Sequence, residues 1–259
     1  MRRIVVTVDS DRDLQGLRRV GRVVALARDE MRRTVEPGMT TRELDRIGAG
    51  VFERYGARSA PNLVYGFPGT NCISLNDEAV HGIPSPERTI RPGDLVKIDV
   101  TAELGGYMAD SAVTVALPGG EEVNGRLVRC AELAYVRAAS VARAGRPTNK
   151  IGRAIETVAK KGGFFVLREL NGHGIGRSIH EEPSIPQYYD RRFDAPLTKG
   201  LVITIEPILS AGSSRVKDGG DGFTLRTADG SPSVHHEHTI VVTRGTPITV
   251  TESPGSEVA

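Results

Sequence analysis

The stretch Leu95–Val115, LVKIDVTAELGGYMADSAVTV, decides the fold. Two runs rich in β-branched residues flank the turn signal Leu104-Gly105-Gly106, which predicts an antiparallel hairpin. With Leu104 and Gly105 as the two-residue loop, Asp99 stands directly opposite Asp110. Side chains so placed sit about 4.5–5.5 Å apart at Cβ. Two carboxylates there repel each other, and burial in a sheet makes ionising both costlier still. Either both reach solvent, or one is protonated, or a multivalent cation lies between them. The hairpin alone leaves a metal centre and a polar face equally open.

The pattern returns at an offset of 107 residues, where Pro92–Asp99 (PGDLVKID) lies on Lys199–Glu206 (KGLVITIE) and Asp99 falls on Glu206. The helices repeat as well. Leu14, Leu17, Val20, Val24 and Ala27 form one apolar face and predict a helix over 11–35. Thr40 with Glu43 reads as a capping box opening a second helix through about Tyr55, followed by Gly56. Residues 125–144, then Pro147-Thr148 to about Lys161, repeat the pair. Gly38 falls on Gly145, Thr41 on Thr148 and Gly56 on Gly163. One offset across two helices and a strand points to a duplicated α+β half. No Ser-, Gly- or Pro-rich linker separates the halves, so they are expected to be fused. The expected organisation is a segment 1–10, one domain over 11–250 with halves 11–118 and 119–250, and a frayed tail 251–259.

The second half adds its own acids. Ile203 and Ile205 share one strand face, Thr204 and Glu206 the other. Glu237, in VHHEHTIVV, is the counterpart of Asp110. The gap between paired acids grows from 11 to 31 residues because a Gly- and Asp-rich excursion occupies roughly 210–230. Two hairpins would thus aim four carboxylates at one central line. The segment Asn171–Pro183, NGHGIGRSIHEEP, supplies His173 as a nitrogen donor, and its glycines argue against a helix and for close backbone approach. This donor set suits two divalent ions of the harder or borderline kind, Mn, Fe or Co, with Zn possible. An H-E-x-x-H helix is absent. His235 shares Glu237's face, either behind the ligands or in solvent.

Composition excludes several classes. A chain of 259 residues with 39% hydrophobic content can bury a real core. A net charge of +2 is too small to make nucleic acid the main partner, and without Trp no base-stacking platform is expected. Cys72 and Cys130 give no disulfide framework, which fits a reducing compartment. The apolar run Ile4–Val8 is too short for a signal core or a membrane span, so the chain reads as soluble and cytoplasmic.

CISLNDEAVHGIP, GDLVKIDVTAELGGYMADSA, NGHGIGRSIHEEP, ITIEPIL and FTLRTADGSPSVHHEHTIVVT together resemble the type I methionine aminopeptidases, over about residues 15–245. The resemblance implies an α+β pita-bread fold, the creatinase/aminopeptidase fold, with two pseudo-symmetric halves of antiparallel sheet flanked by helices. It implies Asp99, Asp110, His173, Glu206 and Glu237 as ligands of two divalent ions (Co, Mn, Fe or Zn). It implies His81 and His180 as catalytic and substrate-contacting histidines, and Glu206 as a proton shuttle. A metal-activated hydroxide would attack the first peptide bond. Phe67, Cys72, Ile179 and Phe223 map to the methionine side-chain pocket, for which core packing is the rival reading. Val64, Ile179, Phe223 and His235-His236 depart from the residues common there. The spacing of 26 between His180 and Glu206 leaves no room for the type II insertion, and the short N-terminus none for a zinc-binding extension. The implied partners are N-terminal methionine on peptides and nascent chains, with transient ribosome contact, and the implied state is a monomer. The rivals are an Xaa-Pro peptidase of the same fold and a non-catalytic peptide- or protein-binding module. HEEP speaks against the first and the complete ligand set against the second.

Overall fold

The computed structural model describes residues 6–253, so the expected N-terminal segment and tail lie partly outside the described residues. Helix α1 spans Asp11–Thr34, capped by the Ser10 side chain on the Asp13 amide. Helix α2 spans Thr41–Tyr55, with the Thr40–Glu43 capping box in place and Gly56 left-handed at its end. A short helix, α3 (Ala60–Tyr65), is capped by Ser59 and carries Pro61 in its first turn. The sequence reading did not foresee it. Helices α4 (Glu122–Val141) and α5 (Asn149–Gly162) form the second pair, and Gly163 closes α5 left-handed as Gly56 closes α2. Among the described residues no helix is long and apolar enough to cross a membrane.

The first hairpin joins strands Leu95–Leu104 and Tyr107–Ala116, with Cys72–Leu75 and Arg58–Ser59 also paired to Leu95–Leu104. Its turn is Gly105-Gly106, not Leu104-Gly105. Both residues have positive φ, 61° and 82°, as a tight two-residue turn requires and as glycine adopts without strain. Leu104 therefore pairs with Tyr107, Asp99 with Ala112, and Asp110 with Thr101. Moving the turn by one residue shifts the pairing by two, so Asp99 and Asp110 keep a common face as diagonal neighbours.

In the second half, Val202–Ile205 pairs with His238–Val241 on one side and Gly174 on the other. Beyond them Ile208–Ser210 pairs with Ser233–His235. Both ladders keep one register across the gap at Glu206-Pro207, so Glu206 faces Glu237. The Gly- and Asp-rich excursion is itself a hairpin, Val216–Asp218 with Leu225–Thr227, which pairs back onto Glu78–Val80 of the first half.

Helices α1 and α2 pack on the first hairpin around Leu17, Val24, Leu44, Ile98 and Val100. Helices α4 and α5 pack on the second sheet around Leu127, Ile151, Ile155, Ile203 and Ile240. The halves are stitched along the strand Tyr107–Ala116. Ala112 and Glu237 exchange backbone hydrogen bonds at 3.3 and 2.9 Å. The Thr239 hydroxyl donates to the Asp110 carbonyl and accepts from its amide. Arg28 on α1 is buried and donates to Ser111 Oγ at 2.6 Å and to the Thr251 carbonyl at 3.1 Å. Thr251, assigned to a frayed tail by the sequence, is instead fully buried.

Candidate metal centre and substrate cavity

Strand alternation does most of the positioning. Asp99 and Asp110 project from one face of the first hairpin, while Glu206 and Glu237 face each other in the gap of the second ribbon. His173 sits mid-strand in Gly172–Gly174. A Cβ on Gly174 would lie 2.5 Å from the Glu182 carbonyl and one on Gly172 2.8 Å from that of Thr204. The flanking glycines thus let neighbouring strands close on the histidine. One cavity of about 170 Å³ collects all of these residues, together with His81, His180, Phe67, Cys72, Ile179 and Phe223. Every site residue anticipated from the sequence lines it.

Asp110, Glu206 and Glu237 are buried and Asp99 is half-buried. Oδ1 of Asp99 and Oδ1 of Asp110 are enclosed without a hydrogen-bond partner. Burial, then mutual repulsion, drives the carboxyls toward their neutral forms. Asp99 is pushed up to about 7 and Glu206 to about 8, while Asp110 and Glu237 rise well above the usual carboxylate range. Ligand atoms of Asp110, His173 and Glu237 lie within 4.8 Å of one another, as do those of Glu206, His235 and Glu237. Buried acids with orphaned oxygens, interleaved with neutral imidazoles, fit divalent cations: the ion supplies the charge these oxygens lack.

The histidines are sorted by their partners. His173 Nδ1 meets the Gly174 carbonyl at 2.8 Å, so Nδ1 carries the proton and Nε2 presents its lone pair 3.7 Å from Glu206 Oε1. Burial lowers its pKa to about 3, which keeps it neutral. The His180 ring packs edge-on against His173 at 4.2 Å, and its Nδ1 is 2.5 Å from the Tyr65 hydroxyl. His81 has φ of 59°, a strained conformation for a side-chain-bearing residue, and its carbonyl accepts from Thr224 in the loop at the tip of the excursion hairpin. His81 and His180 both open to solvent at the cavity mouth. Phe67 and Phe223 meet edge to face at 5.2 Å and, with Cys72 and Ile179, make an apolar wall.

The sequence reading missed Tyr65 and left His235 undecided. Tyr65 has no local signal, because its partner is 115 residues away. His235 is 3% exposed and lies at the acids, not in solvent.

The model of metallopeptidase family M24 matches residues 15–244. Methionine aminopeptidase 2 of Bacillus subtilis is 47% identical over 246 residues, covering 95% of this chain and 99% of that protein. A methionine aminopeptidase of Staphylococcus epidermidis is 37% identical over 95% of this chain and 98% of its own. Among solved structures, methionine aminopeptidase from Thermotoga maritima superimposes with a TM-score of 0.93 at 31% identity, covering 96% of this chain and all of its own. Prolidase from Pyrococcus furiosus, at 21% identity and a TM-score of 0.74, shares the fold over 95% of this chain and 66% of its own.

Proposed function

We propose that this chain, which belongs to metallopeptidase family M24, removes N-terminal initiator methionine by metal-assisted hydrolysis of the first peptide bond. The observation that carries this reading is the cavity itself, where four carboxylates and an imidazole donor meet an apolar wall of residue size. Full-length similarity to proteins named methionine aminopeptidase supports it. Asp99, Asp110, His173, Glu206 and Glu237 would hold two divalent ions, Co, Mn, Fe or Zn. When bound, such ions supply Lewis acidity and bring the pKa of water toward neutrality.

The chain's own groups do the rest. Phe67, Phe223, Cys72 and Ile179 take the methionine side chain and exclude water around it. With the Tyr65 hydroxyl donating to His180 Nδ1, the imidazole proton resides on Nε2. From there it donates to the carbonyl oxygen as negative charge develops. His81, across the mouth, contacts the scissile amide nitrogen. Glu206 Oε1 accepts from the Thr204 hydroxyl at 2.7 Å, which orients the carboxyl group that carries a proton to the departing amine. The proposed setting is the cytoplasm, where a monomer meets nascent chains through transient ribosome contact.

Assay of Met-Ala-Ser against Xaa-Pro peptides, with protein reconstituted in Mn, Fe or Co, tests the reading. Release of methionine is expected. Cleavage confined to Xaa-Pro peptides would overturn it in favour of the proline-specific activity, and peptide binding without any turnover would favour a binding module.

A further inference from the structure

His235 is not among the five ligands above, yet its geometry is that of one. Its Nε2 is enclosed and has no hydrogen-bond partner. It lies 3.4 Å from Glu237 Oε2 and 3.7 Å from Glu206 Oε2. Charge-assisted N–H···O bonds to carboxylate run about 2.7–2.9 Å, so this nitrogen is not serving as an ordinary donor to either acid. Donor atoms held about 2.0–2.2 Å from one ion stand roughly 3–3.5 Å apart, which is close to the spacing seen here.

The position is built into the fold. The Thr114 hydroxyl donates to the His235 carbonyl and accepts from its amide, both at 2.8 Å. Strand alternation sends His235 and Glu237 to the cavity. Their neighbours His236 and His238 go to the other side, where both rings pack on Tyr135 at 5.4 and 4.8 Å.

We infer that His235 is a sixth protein ligand, binding through Nε2 the same divalent ion as Glu206 and Glu237. The inference rests on the reading that this cavity holds divalent ions. A second imidazole in the cavity beside His173 makes the donor set richer in nitrogen. Such a set favours borderline ions such as Co and Zn over oxygen-preferring Mn.

Calorimetric titration of the full-length metal-free protein with Co or Mn, beside His235→Gln, is the test. We expect the substitution to weaken Co binding about tenfold or more and Mn binding much less, narrowing the preference between them. Equal effects on both ions, or none, would overturn the inference while leaving the metal centre intact. Absence of binding by the unsubstituted protein would sink the metal reading and the inference with it. A second readout needs no variant: the cobalt-loaded protein should show hyperfine-shifted imidazole proton signals from two histidines. Signals from one alone would remove His235 from the ligand set.

Discussion

Glu206→Gln should make the metal-free protein more stable, although it removes a proposed ligand. In the folded chain Glu206 is pushed from 4.5 to about 8, first by burial and then by the Asp110 charge. Between those two values the unfolded chain has released its proton and the folded chain still holds it. Folding stability therefore falls as pH rises through that window, and the loss is complete above pH 8. One pK unit is about 1.4 kcal/mol, so the full displacement represents on the order of 5 kcal/mol. Glutamine carries no such term, and its Oε1 can still accept from Thr204. For a chain of this size each kcal/mol moves the melting temperature by roughly 2–4 °C, so the variant should melt on the order of 10 °C higher at pH 8. At pH 4.5 the gain should vanish. Buried His173 and His235, both lowered to about 3 by burial, titrate in the opposite sense, adding stability as pH rises toward 6.5. They are present in both proteins and cancel in the difference. Scanning calorimetry of chelator-treated wild type and variant from pH 4.5 to 8 reads the effect directly. A variant no more stable than wild type at pH 8, or a difference independent of pH, would refute the electrostatic account of this cavity.

Asp110→Asn should cost more than a hundredfold in turnover of Met-Ala-Ser with no loss of metal-free melting temperature, read by peptide assay and calorimetry on the same sample. Tyr65→Phe removes the hydroxyl that lies 2.5 Å from His180 Nδ1, and should lower kcat roughly tenfold with KM little changed. An unchanged kcat would separate Tyr65 from catalysis. Arg28→Ala removes the buried donor to Ser111 Oγ and leaves the Thr251 carbonyl without it in the interior. It should destabilise the protein by about 3 kcal/mol, measured by urea unfolding.

What could be read from the chain was what carries a local physical signature. The helix ends were legible because their caps are local chemistry: Thr40 with Glu43, and glycines at 56 and 163 that close their helices left-handed. The hairpin was legible but its turn was misplaced by one residue. Leucine cannot replace glycine where both turn residues need positive φ, and that fact alone selects Gly105-Gly106. The error left the acids on one face because a turn shift moves the pairing by an even number. Helix α3 was missed although Ser59 and Pro61 announce it, since six residues carry too little periodicity to stand out. The pairing of the excursion hairpin with Glu78–Val80 has no local signature, yet it brings Phe223 to the cavity.

The same distinction divides the site. An acid on a buried strand face is costly, and its return on the matching strand of a second half is improbable without a compensating charge. That made Asp99, Asp110, Glu206 and Glu237 stand out from the background. Phe67 and Ile179 carry no such cost, because an apolar residue is at home in any core. Their assignment came only from the family pattern, and only the fold distinguishes a cavity wall from packing. His235 falls between these cases. Strand alternation narrowed it to Glu237's face, where solvent and the acids were both open. The choice was made by Thr114, 121 residues away, whose hydroxyl grips the His235 backbone on both sides and holds the ring against the acids. A residue whose role depends on a clamp so distant in the chain becomes readable when the two halves are folded together, and that is where the sixth ligand comes into view.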